Sequence, residues 1–80
     1  MKTLVVYFAN WCKPCQRTKL VLDNIKNTEI LYVDVDKEDR NGISTLPTII
    51  IHDNDAEIER IEGELYESDL EYLSTKYGIR

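Results

Sequence analysis

Eighty residues, 42% of them hydrophobic and 31% charged, fit one soluble globular domain over residues 1–80 with a modest core. A net charge of −5 argues against nucleic acid, whose phosphates it would repel. No apolar run approaches the ~20 residues of a membrane span. Lys2 and the short run Leu4–Ala9 lack the length and cleavage site of a secretory signal, so an intact cytoplasmic chain is expected.

The charge is unevenly placed. Residues 1–30 carry five Lys or Arg against two acids, and residues 31–80 carry five against thirteen. A solvated surface accounts for most of that asymmetry.

Thr3–Ala9 reads as a strand, and its consecutive apolar residues Leu4, Val5 and Val6 predict a central, two-sided strand of parallel type. Asn10 and Trp11 form a loop, and Pro14 suits a first helical turn, where a missing N–H costs nothing. From Cys15 on, Thr18, Val21, Leu22 and Ile25 recur at helical spacing. Ile30–Val35 alternates as a second strand, so the first three elements make a right-handed βαβ unit with parallel strands. Asp36–Gly42 predicts a short helical turn, capped by Asp36 and ended by Gly42. Thr48–Ile51 is a buried strand entered from Pro47, and Asp53-Asn54-Asp55 is a hairpin loop. Glu57–Glu62 returns antiparallel. Ile58 and Ile61 are out of phase there, which predicts a bulge or an edge. Ser68 and Glu71 have capping-box spacing, opening a helix that runs to about Tyr77 with Leu70, Leu73 and Tyr77 inward and Gly78 as its C-cap. The expected fold is α/β, a four-stranded mixed sheet in the order β-α-β-(short α)-β-β-α.

The only two cysteines, Cys12 and Cys15, stand two residues apart where the first strand gives way to the first helix. That spacing suits a redox pair or part of a metal site. Zinc needs four ligands, and the chain offers two Cys and His52, which lies at a strand end predicted far from Cys12. An iron–sulfur cluster shared between two chains would have enough thiolates, but Pro14 between the cysteines suits redox geometry better. His52, Asp34 and Asp36 read most simply as solvated strand-end groups, and Trp11 as a half-buried packing residue.

Trp11-Cys12-Lys13-Pro14-Cys15, Val21-Leu22-Asp23-Asn24-Ile25, Gly42-Ile43-Ser44-Thr45-Leu46-Pro47-Thr48 and Gly63 together resemble the thioredoxin family. The form is minimal, beginning at the active-site strand as small glutaredoxins do. The resemblance implies a thioredoxin-like fold and a dithiol–disulfide oxidoreductase with no bound cofactor beyond the redox-active Cys12–Cys15 disulfide. Cys12, ahead of a helix and beside Lys13, would be the nucleophile, and Cys15, one turn in, the resolving thiol. The resemblance also implies a cis Pro47, with the Leu46 backbone pairing to an extended substrate. Trp11 would supply a flat wall beside Cys12, and Gly63 would follow the last strand next to the groove. The implied partners are disulfide-bearing proteins, ribonucleotide reductase among the candidates, and a thioredoxin-reductase-type flavoenzyme as reductant of a monomer.

Three positions depart from the family. Its active-site strand commonly carries a buried Asp where this chain has Val6, and the lysine usually beside it is Tyr32. Glu62 precedes Gly63 in place of an apolar residue, next to the expected groove. A glutathione-recharged glutaredoxin is the near alternative, but Gly63-Glu64-Leu65-Tyr66-Glu67-Ser68-Asp69 lacks one glycine of the usual glutathione turn and is acidic. A binding module with incidental cysteines is the remaining alternative, and Trp11, Pro14, Pro47 and both cysteines occurring together argue against it.

Overall fold

The computed structural model describes residues 1–80. In chain order it contains β1 (Lys2–Phe8), α1 (Lys13–Leu22), β2 (Glu29–Asp34), β3 (Thr48–Asp53), β4 (Ala56–Glu62) and α2 (Glu67–Tyr77). The sheet runs β2-β1-β3-β4. β1 pairs parallel with β2 and antiparallel with β3, and β4 closes an antiparallel edge on β3. Successive side chains leave a strand on opposite faces, and both faces of β1 and β3 are covered. On one face Leu4 and Val6 join Ile49, Ile51, Leu22, Ile25 and Leu73, so both helices pack there. On the other, Tyr7 and Ile50 lie under Ile43 and Leu46 of the connection between β2 and β3. That two-sided cover explains the unbroken apolar runs Leu4–Val6 and Ile49–Ile51. Each fully buried Leu or Ile among them contributes roughly 1.5–3 kcal/mol.

The hairpin between β3 and β4 turns on Asn54 and Asp55, at φ 52° and 73°. Two successive left-handed residues give the turn whose twist matches the flanking strands. The phase conflict in β4 resolves as both a bulge and an edge. Ile51 faces Glu59 but His52 faces Glu57, so Ile58 is the extra residue, 40% exposed.

Two predicted elements are replaced. The expected short helix at Asp36–Gly42 does not form. One turn closes where the Lys37 and Glu38 N–H groups donate to the Asp34 carbonyl. The Asp34 side chain then takes the Asp36 N–H at 3.0 Å, and Asp39 takes that of Asn41 at 2.8 Å. Asn41 and Gly42 are both left-handed, at φ 53° and 81°, which no right-handed helix accommodates. Side-chain acceptors have out-competed the helix for these backbone donors. The Ser68–Glu71 capping box is likewise not the one used. α2 begins at Glu67, and the Asp69 carboxylate takes the Tyr66 N–H at 2.8 Å. α1 also starts earlier than its apolar stripe, at Lys13, and ends at Leu22. A turn with Ile25 N–H on the Leu22 carbonyl carries Ile25 into the core.

Two contacts fix the helices on the sheet. Thr18, buried on α1, accepts the Leu65 N–H at 2.9 Å, which ties α1 to the segment after β4. Glu59 of β4 accepts hydrogen bonds from the Tyr77 and Tyr72 hydroxyls of α2 and pairs with Lys76 at 3.4 Å. The Tyr77 bond leads in holding the Glu59 carboxyl below its ordinary value, helped by Tyr72 and Lys76. A carboxyl depressed on folding adds stability above its unfolded value of about 4.3 and loses it as pH falls through the folded one. Glu59→Gln is therefore expected to lower stability at pH 7 and to lower it by less at pH 3, as read by urea unfolding at the two values. An equal deficit at both would remove the carboxylate from the account.

Candidate active site

β1 ends at Phe8, and a tight turn follows in which the Cys12 N–H donates to the Ala9 carbonyl at 3.1 Å. Cys12 is then the N-cap of α1. Its extended backbone (φ −88°, ψ 110°) lets the chain enter the helix, with Pro14 in the first turn where no N–H is required. The Cys12 sulfur accepts the Cys15 N–H at 3.3 Å. The two Cα atoms are 5.2 Å apart and the sulfurs are joined as a disulfide. Helical spacing alone sets this pairing, since N-cap and N3 share one turn. Both cysteines are nearly buried, 6% and 5% exposed, and pack with Ala9, Phe8, Val35 and Leu46.

The Leu46–Pro47 bond is cis. The Pro47 carbonyl accepts the Gly63 N–H at 2.8 Å, which brings the end of β4 beside the start of β3. Trp11, Lys13, Pro14 and Leu46 gather with Cys12 around one recess of about 440 Å³, together with Arg40 and Ser44. A second recess of about 140 Å³ opens on the other side at Cys15, lined by Asn10, Gln16 and Lys19 among others. A third of about 610 Å³ lies at the opposite end of the sheet, by Met1, Lys2 and Gly78, far from both sulfurs. His52 pairs with Thr3 at that far end. No three His, Cys, Asp or Glu side chains converge on a point that could hold a metal ion.

Two acids read from sequence as solvated have structural partners. Asp34 is 8% exposed and, besides the Asp36 N–H, takes Asn10 Nδ2 at 3.5 Å, joining the end of β2 to the loop before Cys12. Asp36 takes Trp11 Nε1 at 2.9 Å. Trp11 itself is 65% exposed, so the indole is held by its edge while its faces stay open. Nothing in the spacing of residues 11 and 36 signals this pair, because it depends on the turn that replaces the predicted helix. Removing the bond in Asp36→Ala is expected to alter the emission of the only tryptophan. It should also lower kcat/KM for a protein disulfide about two- to fivefold, the effect of one net hydrogen bond. Unchanged emission and turnover would show the indole needs no anchor.

Val6, on β1 within the helix-covered core, is 2% exposed and sits in register between Tyr32 and Ile49. The Tyr32 ring meets Phe8 edge-on at 5.8 Å and carries Lys19 Nζ 5.2 Å from its centroid. Burial, with Asp23 adding to it, pushes the Tyr32 hydroxyl above its ordinary value. Arg17 and Glu64 form a two-pronged bridge at 2.9 Å, and the bond holds the Glu64 carboxyl below its usual range.

Two cysteines bonded to each other across the first turn of a helix, each bordering a recess, have the arrangement of a thiol–disulfide exchange site. Comparison with known proteins narrows the class. A family model for thioredoxin matches residues 1–76. Thioredoxin of Chlamydia muridarum is 33% identical over 82 residues, covering 92% of this chain and 80% of that protein. Among solved structures, thioredoxin-2 of the malaria parasite superposes with a TM-score of 0.85 at 27% identity, over 96% of this chain and 84% of that one. Fasciola hepatica thioredoxin superposes with a TM-score of 0.78 at 25% identity, over 95% and 80%. The chain belongs to the thioredoxin family. It is a dithiol–disulfide oxidoreductase whose redox-active group is the Cys12–Cys15 pair, and its substrates are protein disulfides. No helix is long and apolar enough to cross a membrane.

Proposed function

We propose that Cys12 is the attacking thiol and Cys15 the resolving one, in a protein recharged by a thioredoxin-reductase-type flavoenzyme. The observation that carries this reading is the position of the Cys12 sulfur at the N-cap of α1, accepting the Cys15 N–H. In the reduced protein that N–H and the positive end of the helix favour the thiolate over the thiol. Cys12 also borders the larger recess, whereas Cys15 faces only the smaller one. The Cys12 thiolate attacks one sulfur of a substrate disulfide, and the other sulfur leaves as a thiolate that takes up a proton. Cys15, once deprotonated, attacks Cys12 and expels the second substrate thiol. Two electrons have then moved to the substrate, and the Cys12–Cys15 disulfide remains.

The other residues serve that sequence. Leu46, ahead of the cis Pro47, offers backbone groups to an extended substrate segment, and Gly63 leaves the facing wall without a side chain. Trp11 and Pro14 provide apolar contact beside Cys12, and Lys13 a positive charge. The protein acts as a monomer in the cytoplasm on protein disulfides, with ribonucleotide reductase a candidate client. The test offers the oxidised protein NADPH with a thioredoxin reductase, and in parallel glutathione with glutathione reductase. Recharging at least tenfold faster by the first supports the reading. Preference for glutathione would replace the reductant with that tripeptide.

A further inference from the structure

We propose that Arg40, with Lys13, forms a carboxylate subsite beside Cys12, selecting substrate segments that carry an acidic side chain next to the attacked half-cystine. The proposal rests on the oxidoreductase reading of the same site and adds a chemical class of substrate. Arg40 comes from the connection between β2 and β3, twenty-eight positions beyond Cys12, and no spacing links it to the cysteines. The fold nevertheless brings it to the recess that Cys12 lines, together with Lys13, Trp11 and Pro14.

Neither cation is spent on the protein itself. The ion pairs of the chain use Met1, Lys2, Arg17, Arg60 and Lys76, and neither Lys13 nor Arg40 has a carboxylate partner. The one side-chain hydrogen bond of Arg40 runs from Nη1 to the Ile43 carbonyl at 3.4 Å, which steadies the guanidinium and leaves its other N–H groups free. Three acids precede Arg40 closely in the chain; Asp36 accepts from the Trp11 indole and Asp39 from the Asn41 N–H, and neither they nor Glu38 line the recess. Glu62 lies on the opposite flank, paired in register with Thr48 beyond Pro47. The lining of the recess beside Cys12 thus carries two cations and no acid. A guanidinium fork matches a carboxylate with two parallel bonds. Such complementarity fixes the register of a docked segment and raises its encounter rate. The recess also holds Leu46, so a segment paired along the Leu46 backbone would place a neighbouring side chain within reach of Arg40.

The experiment compares two disulfide-bonded peptides differing only in Glu or Gln beside the attacked half-cystine, each measured as kcat/KM at low and at raised salt. The parent protein is expected to prefer the Glu peptide about fivefold, with the preference shrinking as salt screens the pair. Arg40→Gln should bring the ratio to about one, and Arg40→Lys should restore part of it. The ratio cancels any general loss of activity in a variant. A parent ratio of one, or a fivefold ratio that survives Arg40→Gln, overturns the proposal while leaving the oxidoreductase reading intact. Turnover of neither peptide by the parent would sink both.

Discussion

Cys12→Ser is expected to reduce the turnover of a protein disulfide to the uncatalysed background, whereas Cys15→Ser should retain the first step and stall after it. The difference follows from where each sulfur sits. A serine at Cys12 has no anion to offer at neutral pH, even with the Cys15 N–H and the helix end aimed at it. A serine at Cys15 leaves the Cys12 thiolate free to attack but removes the group that would expel the substrate thiol. Cys15→Ser should therefore accumulate as a mixed disulfide with its substrate, visible as a mass increase that a reductant reverses. Trapping by Cys12→Ser in place of Cys15→Ser would exchange the two roles. Turnover by Cys12→Ser at the parent rate would end the oxidoreductase reading of this pair.

The largest effect on stability is expected at Val6. Its side chain is enclosed between Tyr32, Ile49 and the helix-covered core. A carboxyl there in Val6→Asp would lose its water and gain no basic partner, because Tyr32 stands where a lysine would be needed. The expected cost at pH 7 is about 3 kcal/mol, or about 10–20 °C in Tm for a chain of this size. Burial without a partner raises a carboxyl's folded pKa above its unfolded 3.9. The penalty is then small below the unfolded value and grows as pH rises to the folded one. Thermal unfolding at pH 4 and pH 7 checks this, with the deficit larger at pH 7. The same variant should also reshape the pH dependence of mixed-disulfide resolution, since it supplies a titrating group where the family commonly carries a buried Asp. An unaltered profile would mean that another group already moves that proton.

The regular elements and the cysteine pair were legible in the residues because short-range physics sets them. The consecutive apolar run Leu4–Val6 marks β1, a period of two marks β2, and helical spacing marks α1 and α2; Asp53-Asn54-Asp55 marks the hairpin; Gly78, left-handed at φ 71°, ends α2. The clash between Ile58 and Ile61 was enough to announce a bulge. What was not legible depends on partners distant in the chain. Residues 36–42 have the composition of a short helix, and Asp34, Asp39 and the Asn41–Tyr7 hydroxyl contact at 3.1 Å draw them into a different path. That path in turn creates the Trp11–Asp36 bond and delivers Arg40 to the recess at Cys12, so one misjudged loop concealed two features of the site. The capping of α2 failed for a simpler reason. Two overlapping acceptor sets, Ser68 with Glu71 and Asp69 alone, compete within one turn, and local spacing cannot rank them.

The two recesses give the two sulfurs different surroundings. Cys12 borders the larger, of about 440 Å³, shared with Trp11, Arg40 and Leu46. Cys15 borders only the smaller, of about 140 Å³, which is lined by Asn10, Gln16 and Lys19 among others and by no carboxylate. The chain thus separates the sulfur on the broad recess from the one on the narrow recess, and it does so with Val6, buried and apolar, in the place of an acid.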